Sequence, residues 1–343
     1  LSKAKILITG GTGYIGSHTT VKLIEAGYEV VIIDNLCNSS KATLSGIEGI
    51  TGTVPSFYNV DLRDYAALDE LMKTELGIAA VIQFGALKAV GESLDLPLDY
   101  YDNNVNGLIQ LLKSCKSNQV NKFIFSSSAT VYGVPDTLPI TESHPLKPAL
   151  SPYGNTKKIC EEILSDTVRS VASMQGISLR YFNPIGAHSS GLIGEMPQGV
   201  PNNLMPYLTQ VAAGVRPELL VYGDDYDTPD GTAVRDYIHV EDLADAHVCA
   251  VDRLLGNDAS DDYEIFNLGT GNGFSVKEVI NAFEKSTGVK VPNRIVARRE
   301  GDAPEIYSAT AKANNELGWK ARRTLEDMAA SAWQWESNYR KAN

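Results

Sequence analysis

The sequence predicts an α/β protein: a doubly wound parallel sheet followed by a smaller C-terminal lobe. Three observations carry this. Short apolar runs recur at 5–9 (KILIT), 28–34 (YEVVIID), 79–84 (AAVIQF) and 122–125 (KFIF). They lack in/out alternation, as strands buried on both faces do. Helix-like stretches at 14–26, 65–76 and 99–117 lie between them, so the strands join by crossovers and run parallel. A glycine-rich turn links the first run to the first helix, as in dinucleotide-binding sheets of the Rossmann type.

Taken in order, a third strand is expected over 56–60, ending at Asp61, and a sixth over 177–181, after a helix at 153–173. Beyond Asn183 the character changes. Pro, Gly and Asn cluster over 184–203 and read as loops. A helix is expected at 205–213, a strand at 219–222 and a turn-rich loop at 223–227. The segment 238–240 and a helix over 242–255 are expected to return to the first sheet. Helices at 276–287 and 325–339 close the small lobe, with Trp333 and Trp335 in its core and rim. The division is a dinucleotide-binding domain at 1–183, with a return segment near 236–270, and a second lobe at 184–343.

The 343 residues carry 30 Lys and Arg against 42 Asp and Glu, a net charge of −12. That balance argues against nucleic acid or a membrane surface as partner, both being polyanions. An anionic small molecule stays possible, because a local site can be basic. Cys37, Cys115, Cys160 and Cys249 lie too far apart for zinc or redox spacing and read as free thiols. His18, His144, His188, His239 and His247 show no metal spacing either, so no metal is expected. No apolar run approaches the roughly 18 residues of a membrane span. The start runs straight into a strand, with no room for a signal peptide. A cytoplasmic protein is expected.

The turn reads Gly10-Gly11-Thr12-Gly13-Tyr14-Ile15-Gly16. Gly10 permits the tight bend, Gly13 lets backbone approach a pyrophosphate, and Gly16 lets helix and sheet pack closely. The pyrophosphate would rest on free N–H groups at the helix start. Asp34 ends the second strand, eighteen positions after Gly16. A carboxylate there accepts from a ribose 2′-hydroxyl and repels a 2′-phosphate, which favours NAD over NADP.

Tyr153 and Lys157 are four residues apart at a helix start and share one face. A tyrosine titrates near pH ~10, and a neighbouring ammonium with a positive nicotinamide would favour the phenolate. Such a phenolate can take a proton from a sugar hydroxyl. Upstream, Phe125-Ser126-Ser127-Ser128 ends a strand where open α/β sheets place their sites, and Ser128 can relay that proton. Capping of the next turn is the alternative for these serines.

These residues, with GGTGYIGSHT (10–19), DNLCNSS (34–40), LKAVGES (87–93), YYDNNVNG (100–107), FSSSATVYG (125–133), SPYGNTK (151–157), RYFNPIGAHSSG (180–191), GVPNNLMPY (199–207), DGTAVRDYIHVEDLADAH (230–247) and RREGD (298–302), carry a resemblance. The chain is similar to the extended short-chain dehydrogenase/reductases over essentially its whole length. The activity this implies is reversible NAD-dependent inversion at C4 of a UDP-hexose, interconverting UDP-galactose and UDP-glucose through a 4-keto sugar. For NAD the resemblance implies backbone contacts from Tyr14 and Ile15. Asn35, Asn38 and Ser39 would join Asp34 at the ribose, and Asp61 and Leu62 would meet the adenine. Phe84, Lys88, Asn103, Ser126, Tyr181, Tyr153 and Lys157 complete the cofactor set. For the UDP-sugar it implies Ser128, Tyr153, Asn183, Asn203, Leu204, Tyr222, Arg235, Tyr237, Arg299, Asp302 and Ile306. Arg235 and Arg299 suit a diphosphate, since guanidinium pairs with phosphate oxygens.

The chain departs from the family at Gln83-Phe84-Gly85-Ala86, where His-Phe-Ala-Gly is usual. Ile306 falls at a gate for the sugar 2-position and is intermediate in volume between the Tyr and Cys forms, so weak acceptance of N-acetylated sugars is expected. A homodimer is also implied, through helices near 104–117 and 153–173, although Leu108, Leu111, Leu112, Ile159 and Ile163 fit sheet packing equally well. Two rival readings stand: a nucleotide-sugar 4,6-dehydratase, which needs a carboxyl pair that Val131 and Tyr132 do not supply, and a non-catalytic NAD sensor.

Overall fold

Alternate residues of each buried strand must face opposite sides of a sheet, so both faces here need cover. The computed structural model describes residues 3–299 and 302–342. Leu1, Ser2, Glu300, Gly301 and Asn343 lie outside the described residues, and with them part of the start and of the 298–302 stretch.

In chain order, β1 (Lys5–Thr9), α1 (Tyr14–Glu25) and β2 (Glu29–Ile33) are followed by α2 (Thr43–Thr51), β3 (Ser56–Tyr58), α3 (Tyr65–Thr74) and β4 (Ile78–Gln83). Next come α4 (Val90–Asp95), α5 (Pro97–Tyr100), a π-helical turn (Tyr101–Asn106), α6 (Gly107–Ser117) and β5 (Lys122–Ser128). A 3-10 turn (Ala129–Tyr132) precedes α7 (Pro152–Ser170) and β6 (Gln175–Tyr181). The rest is β7 (Asn183–Ile185), α8 (Leu204–Ala212), β8 (Leu219–Tyr222), β9 (Val234–Arg235), β10 (Tyr237–His239), α9 (Val240–Gly256), β11 (Tyr263–Leu268), β12 (Phe274–Ser275), α10 (Val276–Thr287), β13 (Asn293–Val296), β14 (Glu305–Ile306), α11 (Ala311–Asn315) and α12 (Leu325–Ala342).

Seven parallel strands form the main sheet in the order β11-β6-β5-β4-β1-β2-β3. Ile6, Ile8, Ile32, Ile82, Ile124 and Leu179 bury one face against α1 and α9. Leu7, Val31, Ile33, Val81, Phe123 and Phe125 bury the other against α3, α6 and α7. The strand order reverses between β1 and β4, and the crevice at such a reversal is where ligands bind. Register brings the carboxyl ends together there: Thr9 lies beside Ile33 and Gln83, and Gln83 beside Phe125. A separate core, with Met205, Leu208, Val279, Phe283, Met328 and Ala329, holds α8, α10 and α12.

Several expectations need correction. The segment 237–239 pairs with β7 and not with the main sheet; the helix of the expected return, α9, does pack on that sheet, and β11 joins it as a strand. β11 went unread because Glu264 and Asn267 interrupt its apolar pattern. Glu264 is buried by pairing with Arg253 at 2.7 Å. The expected helix 99–117 is a continuous helical run that widens into a π-helical turn, where Asn104 turns its amide inward to Leu87 and Thr156. Leu108, Leu111 and Leu112 pack on the sheet, with Ile163 against the same core. The exposed apolar residues nearby are Val90, Leu94, Leu96 and Leu98. Among the described residues, no helix is long and apolar enough to cross a membrane.

Candidate active site

The glycine turn is built by exclusion. Gly10 has φ +71°, and a Cβ on it would lie 2.7 Å from Gly85 N. At Gly16 a Cβ would lie 2.2 Å from Gly10 O. At Gly13 it would approach only Gly10 O, at 3.2 Å, so the turn is open on its outer side. Gly13 is also the N-cap of α1 and makes no side-chain capping bond, which leaves the first N–H groups of the helix for an anion. Asp34 is buried at the end of β2. Its Oδ2 accepts from Thr12 N at 3.2 Å, and its Oδ1 from Leu36 N at 2.9 Å and Ser39 Oγ at 3.0 Å. The residues present therefore fit a dinucleotide: a cradle that no Cβ could share, and an oriented carboxylate one strand away.

Around that cradle, Asn35 Nδ2 donates to Asp61 Oδ2 at 2.9 Å, and Arg63 holds the same carboxylate well below its usual range. Asn38 is exposed. Leu62 packs close under Gly85, where a Cβ would come within 2.9 Å of its Cδ1. Asn103 donates to Asn104 Oδ1 at 2.9 Å. The Tyr14 hydroxyl reaches across to Gly186 O at 2.6 Å, joining α1 to the loop after β7. The departure at Gln83 is buried. Its Nε2 donates to Gly85 O at 2.8 Å, and its Oε1 has no hydrogen-bond partner among the described residues.

Ser126, Ser127 and Ser128 form the end of β5, and Ser128 lies in register with Tyr181 of β6. Ser151 N-caps α7 and Pro152 starts it, so Tyr153 stands in the first turn and Lys157 one turn on. Lys157 is 3% exposed and donates Nζ to Ser126 O at 2.6 Å. Burial pushes its pKa down to about 8. Its Nζ is 6.0 Å from the Tyr153 ring centroid. Burial pushes the Tyr153 phenol up to about 12, and a hydrogen bond with Ser128 pulls it back. The ammonium was expected to lower the phenol; here it is turned to Ser126 O instead. Phe84 packs 4.8 Å from the His247 ring. His247 Nδ1 faces Leu243 O, so its Nε2 accepts from the Tyr181 hydroxyl at 2.5 Å.

The second lobe brings two guanidinium groups to one carboxylate. Arg299 Nε donates to Asp302 Oδ2 at 2.9 Å and lies 5.0 Å over the Tyr222 ring. Arg235 Nη2 is 3.7 Å from Asp302 Oδ1, while its Nη1 donates to Val234 O and Ala303 O. Tyr237 is buried beside them, and burial raises its phenol to about 12 against the pull of both arginines. Ile306 pairs with Arg235 and packs on Val131, Tyr132 and Phe182, next to the turn that follows Ser128. Asn183 is exposed on β7. Asn203 and Leu204 open α8. Lys88 donates to Glu195 at 2.8 Å and lies 5.8 Å over the Tyr14 ring.

Sequence reasoning missed Asp236. This fully buried carboxylate accepts from Thr270 N and Oγ1, Gly271 N, and Ser308 N and Oγ, all within 3.1 Å. Its own N–H donates to Ile306 O at 3.0 Å and its carbonyl accepts from Asn183 N at 2.9 Å, so it ties these two expected substrate residues together. Thr130 was missed too: its Oγ1 is buried beside Gly154 and without a partner among the described residues. Among the described residues, no group of three or more His, Cys, Asp or Glu could hold a metal ion.

A dinucleotide cradle at the sheet's reversal, with a Ser–Tyr–Lys set two strands away across β4, defines an α/β enzyme of nicotinamide chemistry. The profile of the NAD dependent epimerase/dehydratase family matches residues 6–269, and the chain belongs to that family. The chain is 53% identical over 333 residues to the UDP-glucose 4-epimerase of Bacillus subtilis (strain 168), covering 97% of each chain. It is similar in structure to the UDP-glucose-4-epimerase from Stenotrophomonas maltophila with bound NAD and formylated UDP-arabinopyranose, at TM-score 0.96 and 49% identity, over 99% of this chain and 100% of that one. The Bifidobacterium longum enzyme in complex with NAD+ and UDP gives 0.94 and 48%, over 99% and 100%.

Proposed function

We propose that this protein is an isomerase that inverts C4 of UDP-galactose and UDP-glucose reversibly, with NAD retained through the cycle. The observation that carries the reading is the meeting of Ser128, Tyr153 and Lys157 at the end of β5, on the same carboxyl edge of the sheet as the glycine cradle and Asp34. Bound NAD supplies a hydride acceptor at C4 that gives the hydride back, so no net oxidation results. The chain's own residues do the rest. The α1 N-terminus and Lys88 take the pyrophosphate, and Asp34, Asn35, Asn38 and Ser39 take the adenosine ribose. Asp61 and Leu62 flank the adenine. Phe84, Asn103, Ser126, Tyr181 and Lys157 line the nicotinamide half. Tyr153 accepts the proton of the sugar 4-hydroxyl and returns it, with Ser128 on the same oxygen.

The second lobe is read as the UDP-sugar site. Arg235 and Arg299 bind the diphosphate. Asn183, Asn203, Leu204, Tyr222, Tyr237 and Asp302 hold the nucleotide, and Ile306 borders the sugar. Holding the substrate by UDP leaves the hexose free to present either face. Ile306 is intermediate in volume between Tyr and Cys, which supports weak turnover of UDP-N-acetylhexosamines. The buried Val131 and Tyr132 after Ser128 offer no carboxyl for a dehydratase. The exposed Val90, Leu94, Leu96 and Leu98 favour a homodimer. Four free thiols suit the cytoplasm.

The test is product analysis with UDP-galactose and UDP-N-acetylgalactosamine side by side, without added NAD. UDP-glucose is expected from the first and slow conversion of the second. No change in UDP-galactose, even with NAD supplied, would sink the reading.

A further inference from the structure

Glu195 takes no part in the scheme above. It lies in the loop between β7 and α8, with its side chain 11% exposed. Its Oε1 accepts from Lys88 Nζ at 2.8 Å and from Asn203 Nδ2 at 3.1 Å. Its backbone carbonyl accepts from Trp335 Nε1 at 3.0 Å. Gly194 lets the indole close in, since a Cβ there would lie 2.3 Å from the ring. The backbone of Glu195 is thus anchored from behind by α12, and its carboxylate is shared in front by two donors.

Those donors come from different halves of the site. Lys88 lies over Tyr14, the first residue of α1, at the cofactor's anion site. Asn203 is the N-cap residue of the nine-residue α8, yet its side chain makes no capping bond. An N-cap Asn ordinarily turns its oxygen onto an N–H of the first turn. Here Glu195 draws that amide away, and the first N–H groups of α8 keep no side-chain acceptor, as phosphate binding requires. A carboxylate so near two diphosphates would repel both; the Lys88 charge offsets it.

We infer that Glu195 is a positioning residue. Through one shared oxygen it fixes Lys88 for the cofactor and holds Asn203 off α8 for the substrate's diphosphate, so each site feels the other's state. This rests on the roles given above to Lys88 and Asn203.

The experiment is steady-state kinetics of the holoenzyme on UDP-galactose. Lys88→Met and Asn203→Ala are measured singly and together, in the presence of Glu195 and again with Glu195→Ala. With Glu195 intact, the combined effect on KM departs from the product of the single effects by about 3-fold or more. With Glu195→Ala the effects multiply. Glu195→Ala alone raises KM by about 10-fold with kcat nearly kept, and Glu195→Gln, which retains the acceptor, recovers most of it. Should Glu195→Ala fail to fold, Glu195→Asp, too short to reach both donors, takes its place. Multiplying effects in both backgrounds, or a lowered melting temperature with KM unmoved, overturns the inference. If the wild-type enzyme leaves UDP-galactose unchanged, the functional reading falls and this inference with it. Conversion with multiplying effects overturns Glu195 alone.

Discussion

Tyr153 carries the widest gap between how it titrates and what it must do. A phenol pushed up to about 12 keeps its proton at neutral pH. Lys157 is pushed down to about 8 and stays largely charged there, but its ammonium serves Ser126 O. Local geometry alone therefore leaves Tyr153 protonated. Ionising it for proton abstraction needs further positive charge in the cleft, which the oxidised nicotinamide brings. Tyr153→Phe should keep the fold and bound NAD while kcat falls roughly 10²–10⁴-fold, the usual worth of a positioned acid/base. Turnover near normal in that variant would remove Tyr153 from proton transfer. The Tyr–Lys spacing, the glycines and Asp34 were legible because each is a short-range pattern on one element. Asp236 was not, because its donors come from positions 270, 271 and 308, and only folding brings them together.

Among elements, α7 matters most, since it sets where Tyr153 and Lys157 stand over β5. One turn beyond Lys157, Glu161 is buried and chelates Arg180 of β6, Nε to Oε1 at 2.9 Å and Nη2 to Oε2 at 2.6 Å. Ser127 of β5 donates to the same Oε1 at 2.5 Å. Arg180 Nη1 continues to the Tyr132 hydroxyl at 2.8 Å, which donates to Asn267 of β11 at 2.7 Å. One buried pair thus locks a helix to three strands behind the site. Arg180→Met strands a buried carboxylate and should cost about 3–5 kcal/mol, whereas Arg180→Met with Glu161→Leu should regain most of it. Denaturant midpoints at fixed NAD decide this; equal losses in single and double variants would show that the pair does not act as a unit. The same network explains which elements could be read. The strands of the sheet interior announce themselves because apolar side chains cover both faces. β11 hides because its polar residues are satisfied by Arg253, Tyr132 and Glu142, none of them within the strand.

At the scale of the whole molecule, three histidines are buried in α1, at the start of α9 and within α9, and one of them, His239, bonds to α12 of the second lobe. His18 Nδ1 lies 2.7 Å from Tyr14 O and so carries the proton, leaving a buried Nε2 with no partner among the described residues. His239 Nδ1 accepts from Glu241 N at 3.0 Å, so its Nε2 donates to Ser331 Oγ of α12 at 3.0 Å. His247 accepts from Tyr181. Each ring is neutral, and burial pushes the three pKa values down to about 3, about 3 and about 4. In the unfolded chain they return to about 6.5. Between those limits the unfolded state binds more protons, so stability rises with pH and is lost as the solution is acidified. Three such groups give a slope approaching about 4 kcal/mol per pH unit near pH ~5. Against a total of roughly 5–15 kcal/mol, that removes a large share of the stability within about two units below pH ~6.5. Denaturant midpoints measured from pH 7.5 to 5 at constant ionic strength and NAD should begin to fall below about 6.5 and fall more steeply by 5. A flat profile to pH 5, with loss only below about 4, would move the acid limit from these imidazoles to the carboxylates.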